Sequence, residues 1–250
     1  MRLLSLAAAL TLVLLGLPAP EGARADIVTP CFEADPQADS WGAIDACTPL
    51  ARDGRWAGRE RGEAWLVIGK AHSALGLTDQ ARAELLHAAE LFPAPLDDTR
   101  AAWALYGAGY PAEAERLYDA ALKADPHMRH AWLARCVVRQ EQEKWRASIG
   151  DCRRAYDMQQ RGEDLLYFLS RAFVMVDDPV NAVNFTRFAT QEYPGSGRIW
   201  VVRVWAEELA GHREAARRLA RDRLREDAGN VGLQNYLRRS ADALPDLLAE

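Results

Sequence analysis

The chain has 250 residues, 49% of them hydrophobic and 27% charged, with a formal net charge of −5. That balance excludes disordered, collagen-like and membrane-embedded classes, and the acidic excess argues against whole-chain binding to nucleic acid or to an anionic membrane. Only Lys70, Lys123 and Lys144 are lysines, so arginine carries almost all the positive charge.

The first segment reads as a secretory signal peptide over residues 1–25. Arg2 supplies a positive start, Leu3 to Leu17 is an apolar run, and Ala23-Arg24-Ala25 offers the small residues of a cleavage site. The run is shorter than the roughly 20 residues needed to span a bilayer, and Pro18 and Pro20 interrupt its extension. Cleavage after Ala25 therefore places the mature chain in the periplasm, with no integral membrane span. Val28-Thr29-Pro30 ahead of Cys31 is no lipid-attachment signal.

Residues 26–60 read as an N-terminal cap. Cys31 and Cys47 are sixteen residues apart, as are Cys136 and Cys152. In an oxidising compartment this spacing favours the two local disulfides Cys31–Cys47 and Cys136–Cys152 over the other two pairings, each bridge contributing about 3 kcal/mol through its short loop. Four buried free thiols are the alternative. Pro30 and Pro36 bracket Cys31 and disfavour a helix there, and Pro49 is expected to shorten or kink a helix starting near Ser40.

From residue 61 to 228 a repeat governs the chain. Small residues recur at Ala81, Ala114, Ser148, Ala182 and Ala216, at intervals of 33, 34, 34 and 34. Seven residues later stand Ala88, Ala121, Ala155, Ala189 and then Arg223; twelve residues earlier stand Gly69, Ala102, Cys136, Ser170 and Val204. Pro93, Pro126 and Pro194 mark unit ends, with Gln160 and Ala228 where proline is missing, and Gly76, Gly109 and Gly211 mark turns within units. Small residues at helical spacing let two helices approach closely, and such a pair must bury its apolar face against neighbouring pairs.

The first unit, Trp65-x2-Ile68-Gly69-x2-His72 followed by Ala81-x3-Leu85, Ala88 and Pro93, resembles the tetratricopeptide repeat, with His72 in place of that family's usual tyrosine. Trp132 and Trp200 return at the tryptophan position; Asp98 and Leu166 replace it in the second and fourth units. The resemblance implies an all-α, right-handed solenoid of about five helix pairs. It carries a disulfide-stapled N-terminal cap and, over residues 229–250, a C-terminal capping helix and tail. Trp41 to Cys47 echoes Trp145 to Cys152, which makes the cap a truncated unit lacking its first helix. Val231, Leu233, Tyr236 and Leu237 are expected to face inward from the C-terminal cap, and Trp65, Trp132 and Trp200 to pack between helices.

Signatures of catalysis are missing: no His-Glu-x-x-His, Gly-x-Ser-x-Gly, Ser-x-x-Lys or phosphate-cradling glycine loop occurs. His127 and His130 lack a third ligand for a metal, so neither metal nor cofactor is expected. Asp97-Asp98 and Asp177-Asp178 suit helix starts, and the arginine run from Arg213 to Arg225 is interleaved with acids and reads as an ion-paired helix face.

The resemblance implies that the first helix of each unit lines an inner surface. The residues so placed include Lys70, Arg100, Trp103, Tyr106, Tyr167, Phe168, Arg171 and Trp205, together with Leu133, Val137, Gln140, Val174 and Val201. Aromatic and arginine side chains are the usual anchors of interfaces, so this set reads as a groove for an extended or helical peptide, one cation holding a carboxylate. The leading reading is a non-enzymatic periplasmic scaffold for an envelope or secreted protein. An accessory or unrecognised envelope hydrolase, with a site in Asp26 to Arg59, is one alternative; a self-assembling array is another.

Overall fold

All five small residues of the first series are fully buried, and each stands fourth in a helix. This is the second helix of a pair, and the small side chain is where its partner crosses. The computed structural model describes residues 28–92 and 95–238, without the side chains of 95–98. The proposed signal peptide, Pro93 and the tail beyond Arg238 lie outside the described residues. Two compact units divide at Pro126.

The first unit contains α1 (Ser40–Arg52), α2 (Gly58–Ala74), α3 (Thr78–Leu91), α4 (Pro95–Gly107) and α5 (Pro111–Ala124). The second contains α6 (Arg129–Glu141), α7 (Trp145–Asp157), α8 (Glu163–Met175), α9 (Pro179–Glu192), α10 (Gly197–Leu209), α11 (Arg213–Glu226) and α12 (Val231–Arg238). No strand occurs among the described residues. Consecutive helices pack together within each unit, and each first helix also meets the next one: α2 with α4, α6 with α8, α8 with α10 and α10 with α12. That is the neighbour-to-neighbour pattern of stacked helix pairs.

One contact register recurs through both units. Gly69 of α2 faces Leu85 of α3, sixteen residues on, so closely that a Cβ on the glycine would stand 2.7 Å from Leu85 Cγ. Ala102 and Tyr118, Ser170 and Thr186, and Val204 and Ala220 keep the same separation, all with at most 1% exposure. Both disulfides occupy this register. Cys136 of α6 joins Cys152 of α7 with Cα atoms 5.5 Å apart, and Cys31 joins Cys47 of α1 at 4.5 Å.

The N-terminal bridge corrects the expectation for the cap. Residues 28–33 are helical, so Cys31 sits in a remnant of the first helix that the sequence reading takes as absent. Proline obstructs the turn before it and leaves the turn after it free, so Pro30 allows helix to continue and Pro36 marks where it has ended. Helix α1 likewise runs three residues past Pro49, capped at its start by the Asp39 carboxylate, which accepts from Gly42 N at 2.9 Å.

Five turns within pairs share one geometry. Gly76, Gly109 and Gly211 have φ of 75°, 88° and 80°, and Glu143 and Asp177 adopt the same left-handed conformation at 57° and 58°. At each, the amide of the next residue reaches back to a carbonyl in the last turn of the helix, as Lys144 N does to Arg139 O at 2.8 Å. This closing motif requires a positive φ whatever the residue. Asp178 then caps α9 through Asn181 N, and Ser196 caps α10 through Ile199 N.

At the C-terminus, Asn230 Oδ1 accepts from Leu233 N and starts α12, which buries Leu233 and Tyr236. Val231, expected inward, is 61% exposed. It precedes Leu233 by two residues, which turns it about 200° away from the buried face.

Candidate functional site

In the first unit, four of the expected groove residues are brought together on α2 and α4. The Arg100 guanidinium pairs with Glu63, and Lys70 stands close enough to both to feel their charges. Burial chiefly, and then Arg100, holds the Lys70 ammonium below the usual lysine range; Glu63 opposes the shift. Three residues along α4 from Arg100, the Trp103 ring is 50% exposed, and it rests against Tyr106 with ring centroids 5.2 Å apart. Large exposed rings that are already pinned by a neighbour lose little freedom on contact with a partner.

In the second unit, Tyr167, Phe168 and Arg171 lie within one turn of α8. The Tyr167 and Phe168 rings meet edge to face at 5.1 Å, and Arg198, itself paired with Glu163 and Asp164, covers the Tyr167 ring at 4.8 Å. Gln140 of α6 donates from Nε2 to Phe168 O at 2.7 Å and presents Oε1 to Arg171 Nη1 at 3.5 Å. Trp145 of α7 lies 5.1 Å beneath the Arg171 guanidinium. Neither Trp145 nor Glu63 stands out in the sequence, because each acts only through a residue of the following pair.

Trp205 does not join this face. It is 4% exposed, with its ring against Tyr236 at 5.1 Å. The cause is the C-terminal cap: α12 packs on α10 so closely that a Cβ on Gly232 would stand 2.6 Å from Val201 Cγ2, and Tyr236 reaches on to Glu208 at 2.7 Å. Burial chiefly, and then that contact, raise the Tyr236 phenol above its ordinary range. Val137, Gln140 and Val174 are buried too, since each first helix is covered in part by the next.

Another buried cluster is structural. Arg135 grips Asp151 through Nε at 2.9 Å and Nη2 at 2.7 Å, and Arg139 adds a third bond at 2.7 Å, all beside the Cys136–Cys152 bridge. Trp65, Trp132 and Trp200 pack against the cores. In the arginine run, Arg213 pairs with Glu208, Arg223 with Glu226 and Arg225 with Asp222. His127 and His130 are exposed, and among the described residues no group of three His, Cys, Asp or Glu is placed to hold a metal ion. None of the described helices is long and apolar enough to cross a membrane.

No protein-family model matches the chain, and no curated protein resembles it in sequence. Solved structures do resemble it in fold. PilW, a widely conserved type IV pilus biogenesis factor, superposes with a TM-score of 0.68 at 18% identity, over 88% of this chain and 100% of that one. A tetratricopeptide repeat protein from Parabacteroides merdae gives 0.65 at 12%, over 84% and 86%. YrrB, a TPR protein with an unusual peptide-binding site, gives 0.61 at 14%, over 79% and 100%. Helix pairs, small-residue crossings and these likenesses agree: the fold of this chain is the all-α solenoid fold of tetratricopeptide repeat proteins.

Proposed function

We propose that the protein is an exported, non-enzymatic scaffold that captures a peptide or protein segment of an envelope partner on its first-helix faces. The observation that carries this reading is the exposed Trp103 ring, held by Tyr106 beside the Lys70, Arg100 and Glu63 charges. A half-exposed tryptophan next to ionic groups is the usual composition of an interface anchor. Two disulfides favour an oxidising compartment. The similarity in fold to a pilus biogenesis factor and to a peptide-binding repeat protein supports the same class of work.

Photo-crosslinking tests it. A benzophenone amino acid at position 103, introduced in the native host, should trap one partner whose crosslinked segment can be mapped and synthesised. By calorimetry, Trp103→Ala should weaken that segment at least about tenfold while leaving the thermal midpoint nearly unchanged. Equal affinity for the variant would refute the site. Recovery of a periplasmic protein beginning at Asp26 would establish export; a chain retaining Arg2 would refute cleavage.

A further inference from the structure

Charge is divided unevenly between the two units. Residues 28–126 carry 16 carboxylates against 9 lysines and arginines, whereas residues 127–238 carry 15 against 19. The contrast is sharpest in two places. Residues 28–51, the N-terminal cap with most of α1, contain Glu33, Asp35, Asp39 and Asp45 and no lysine, arginine or histidine. All four carboxylates are exposed and none meets a cation among the described residues; Asp35 and Asp39 accept only from the backbone amides of Gln37, Ala38 and Gly42. On α11 the sign reverses. Arg213, Arg223 and Arg225 pair with acids, but Arg218 and Arg221 have no carboxylate among the described residues. Arg218, Arg221 and Arg225 are all exposed and follow one another at spacings of three and four, so they form one stripe along the helix.

Each patch has apolar surface beside its charges. In the cap, Trp41 is 61% and Phe32 46% exposed, on two helical segments fastened by the Cys31–Cys47 bridge. Just beyond α11, Val231 is 61% exposed at the first position of α12. Tryptophans of the second unit take arginines as neighbours: Arg135 lies over Trp132 at 4.8 Å, Arg171 over Trp145 at 5.1 Å and Arg223 over Trp200 at 5.5 Å. Trp41 has no cation in its own cap to play that part. A guanidinium can lie flat on an indole and turn its edge to a carboxylate, as Arg135 does with Trp132 and Asp151. The cap offers the ring and the carboxylates, and α11 offers the guanidiniums.

We infer that the cap of one copy docks on α11 of a second copy, with Trp41 and Phe32 against Arg218, Arg221 and Val231, and with Glu33 and Asp45 facing the arginine stripe. The occupant is a second copy because each patch complements the other and repels its own kind: cap on cap would set carboxylate against carboxylate, and α11 on α11 arginine against arginine. The contact joins two different patches, so association runs on into a chain or closes into a ring, of which a reciprocal pair is the smallest. Neither patch includes Lys70, Arg100, Trp103 or Tyr106, so self-assembly and partner capture stand or fall separately.

Sedimentation velocity on the whole protein, purified from its native host, tests this. At about 0.02 M salt the mass should rise with concentration above that of a single copy, and at about 0.5 M salt, which screens exposed charges beyond a few ångströms, it should return to a single copy. Trp41→Ser, and separately the double change Arg218→Glu with Arg221→Glu, should each weaken association at least about tenfold. A one-to-one mixture of the two variants holds one intact cap and one intact α11 stripe, and should restore an association that neither shows alone, stopping at two copies. A single-copy mass for the wild type at low salt, at every concentration up to its solubility, overturns the inference. So does an association that neither variant disturbs, or a mixture that restores nothing. If Trp41→Ser fails to fold, a benzophenone amino acid at position 41 decides the matter: a crosslink to α11 of another copy upholds the contact, and any other product, or none, overturns it.

Discussion

The pair α2–α3 and the pair α6–α7 solve one packing problem in opposite ways. In the first, glycine at position 69 brings the backbones together over Leu85, and of the charges nearby Arg100 is exposed and Glu63 half-buried. In the second, a disulfide replaces the glycine–leucine contact at the same register, and Arg135 and Asp151 are buried beside it, with Arg139 half-buried. Removing charges from water costs more than most ion pairs return, whereas close apolar packing needs no such compensation. The contrast teaches that a repeat frame conserves a distance between helices and leaves its chemistry free.

The largest expected effect comes from breaking the ionic cluster. Asp151→Ala leaves Arg135 and Arg139 without their carboxylate in a site where the aspartate side chain is 4% exposed, and should cost about 3–5 kcal/mol by denaturant unfolding. The counterpart change in the other pair, Glu63→Gln, removes an ion pair whose arginine is 47% exposed and should cost under about 1 kcal/mol. Similar losses in the two would end the comparison.

Next comes the shared register. Replacing Cys136 and Cys152 by alanine should cost about 2–4 kcal/mol. Gly69→Ala forces a Cβ to within 2.7 Å of Leu85 Cγ and should cost about 1–2 kcal/mol, overpacking outweighing the better helix propensity of alanine. The sharper experiment puts cysteine at both 69 and 85. If the two registers are equivalent, a third disulfide forms in air and a thiol assay finds no free sulfhydryl; persistent thiols would show that the α2–α3 crossing differs from α6–α7.

The repeat was legible because close helix approach admits few side chains, and that restriction leaves a mark at Ala81, Ala114, Ser148, Ala182 and Ala216. The disulfide pairing was legible for the same reason, the sixteen-residue separation being the contact register itself. Exposure was not. Trp205 and Trp103 occupy the same place in different units, and only the cap α12, with Tyr236, buries one and not the other. Proline misled at Pro30 and Pro49, where its effect runs only toward the N-terminal side. The candidate site was read as one list of inward residues, but the structure gathers Lys70, Arg100, Trp103 and Tyr106 on α2 and α4 and Tyr167, Phe168 and Arg171 on α8, and buries Trp205.

The smallest effect probes the turns that close these two pairs. Gly76 ends α2 and Glu143 follows α6, with φ of 75° and 57°, and a left-handed residue with a Cβ costs about 1 kcal/mol more than glycine. Glu143 makes the same backbone closure as Gly76, its amide to Gln140 O at 2.9 Å and that of Gly76 to Ser73 O at 3.0 Å, so nothing in the hydrogen bonding offsets that cost. Glu143→Gly should therefore raise stability by about 0.5–1 kcal/mol, glycine's larger unfolded entropy taking back part of the gain. Gly76→Ala should lower it by about 1 kcal/mol, since no atom lies within 4 Å of the added Cβ and only the backbone strain counts. Opposite signs in the two variants, measured in one denaturant series, show that the turns are one structure built from different residues. A loss of stability in Glu143→Gly would mean that the glutamate side chain, and not the backbone closure, holds the α6–α7 turn.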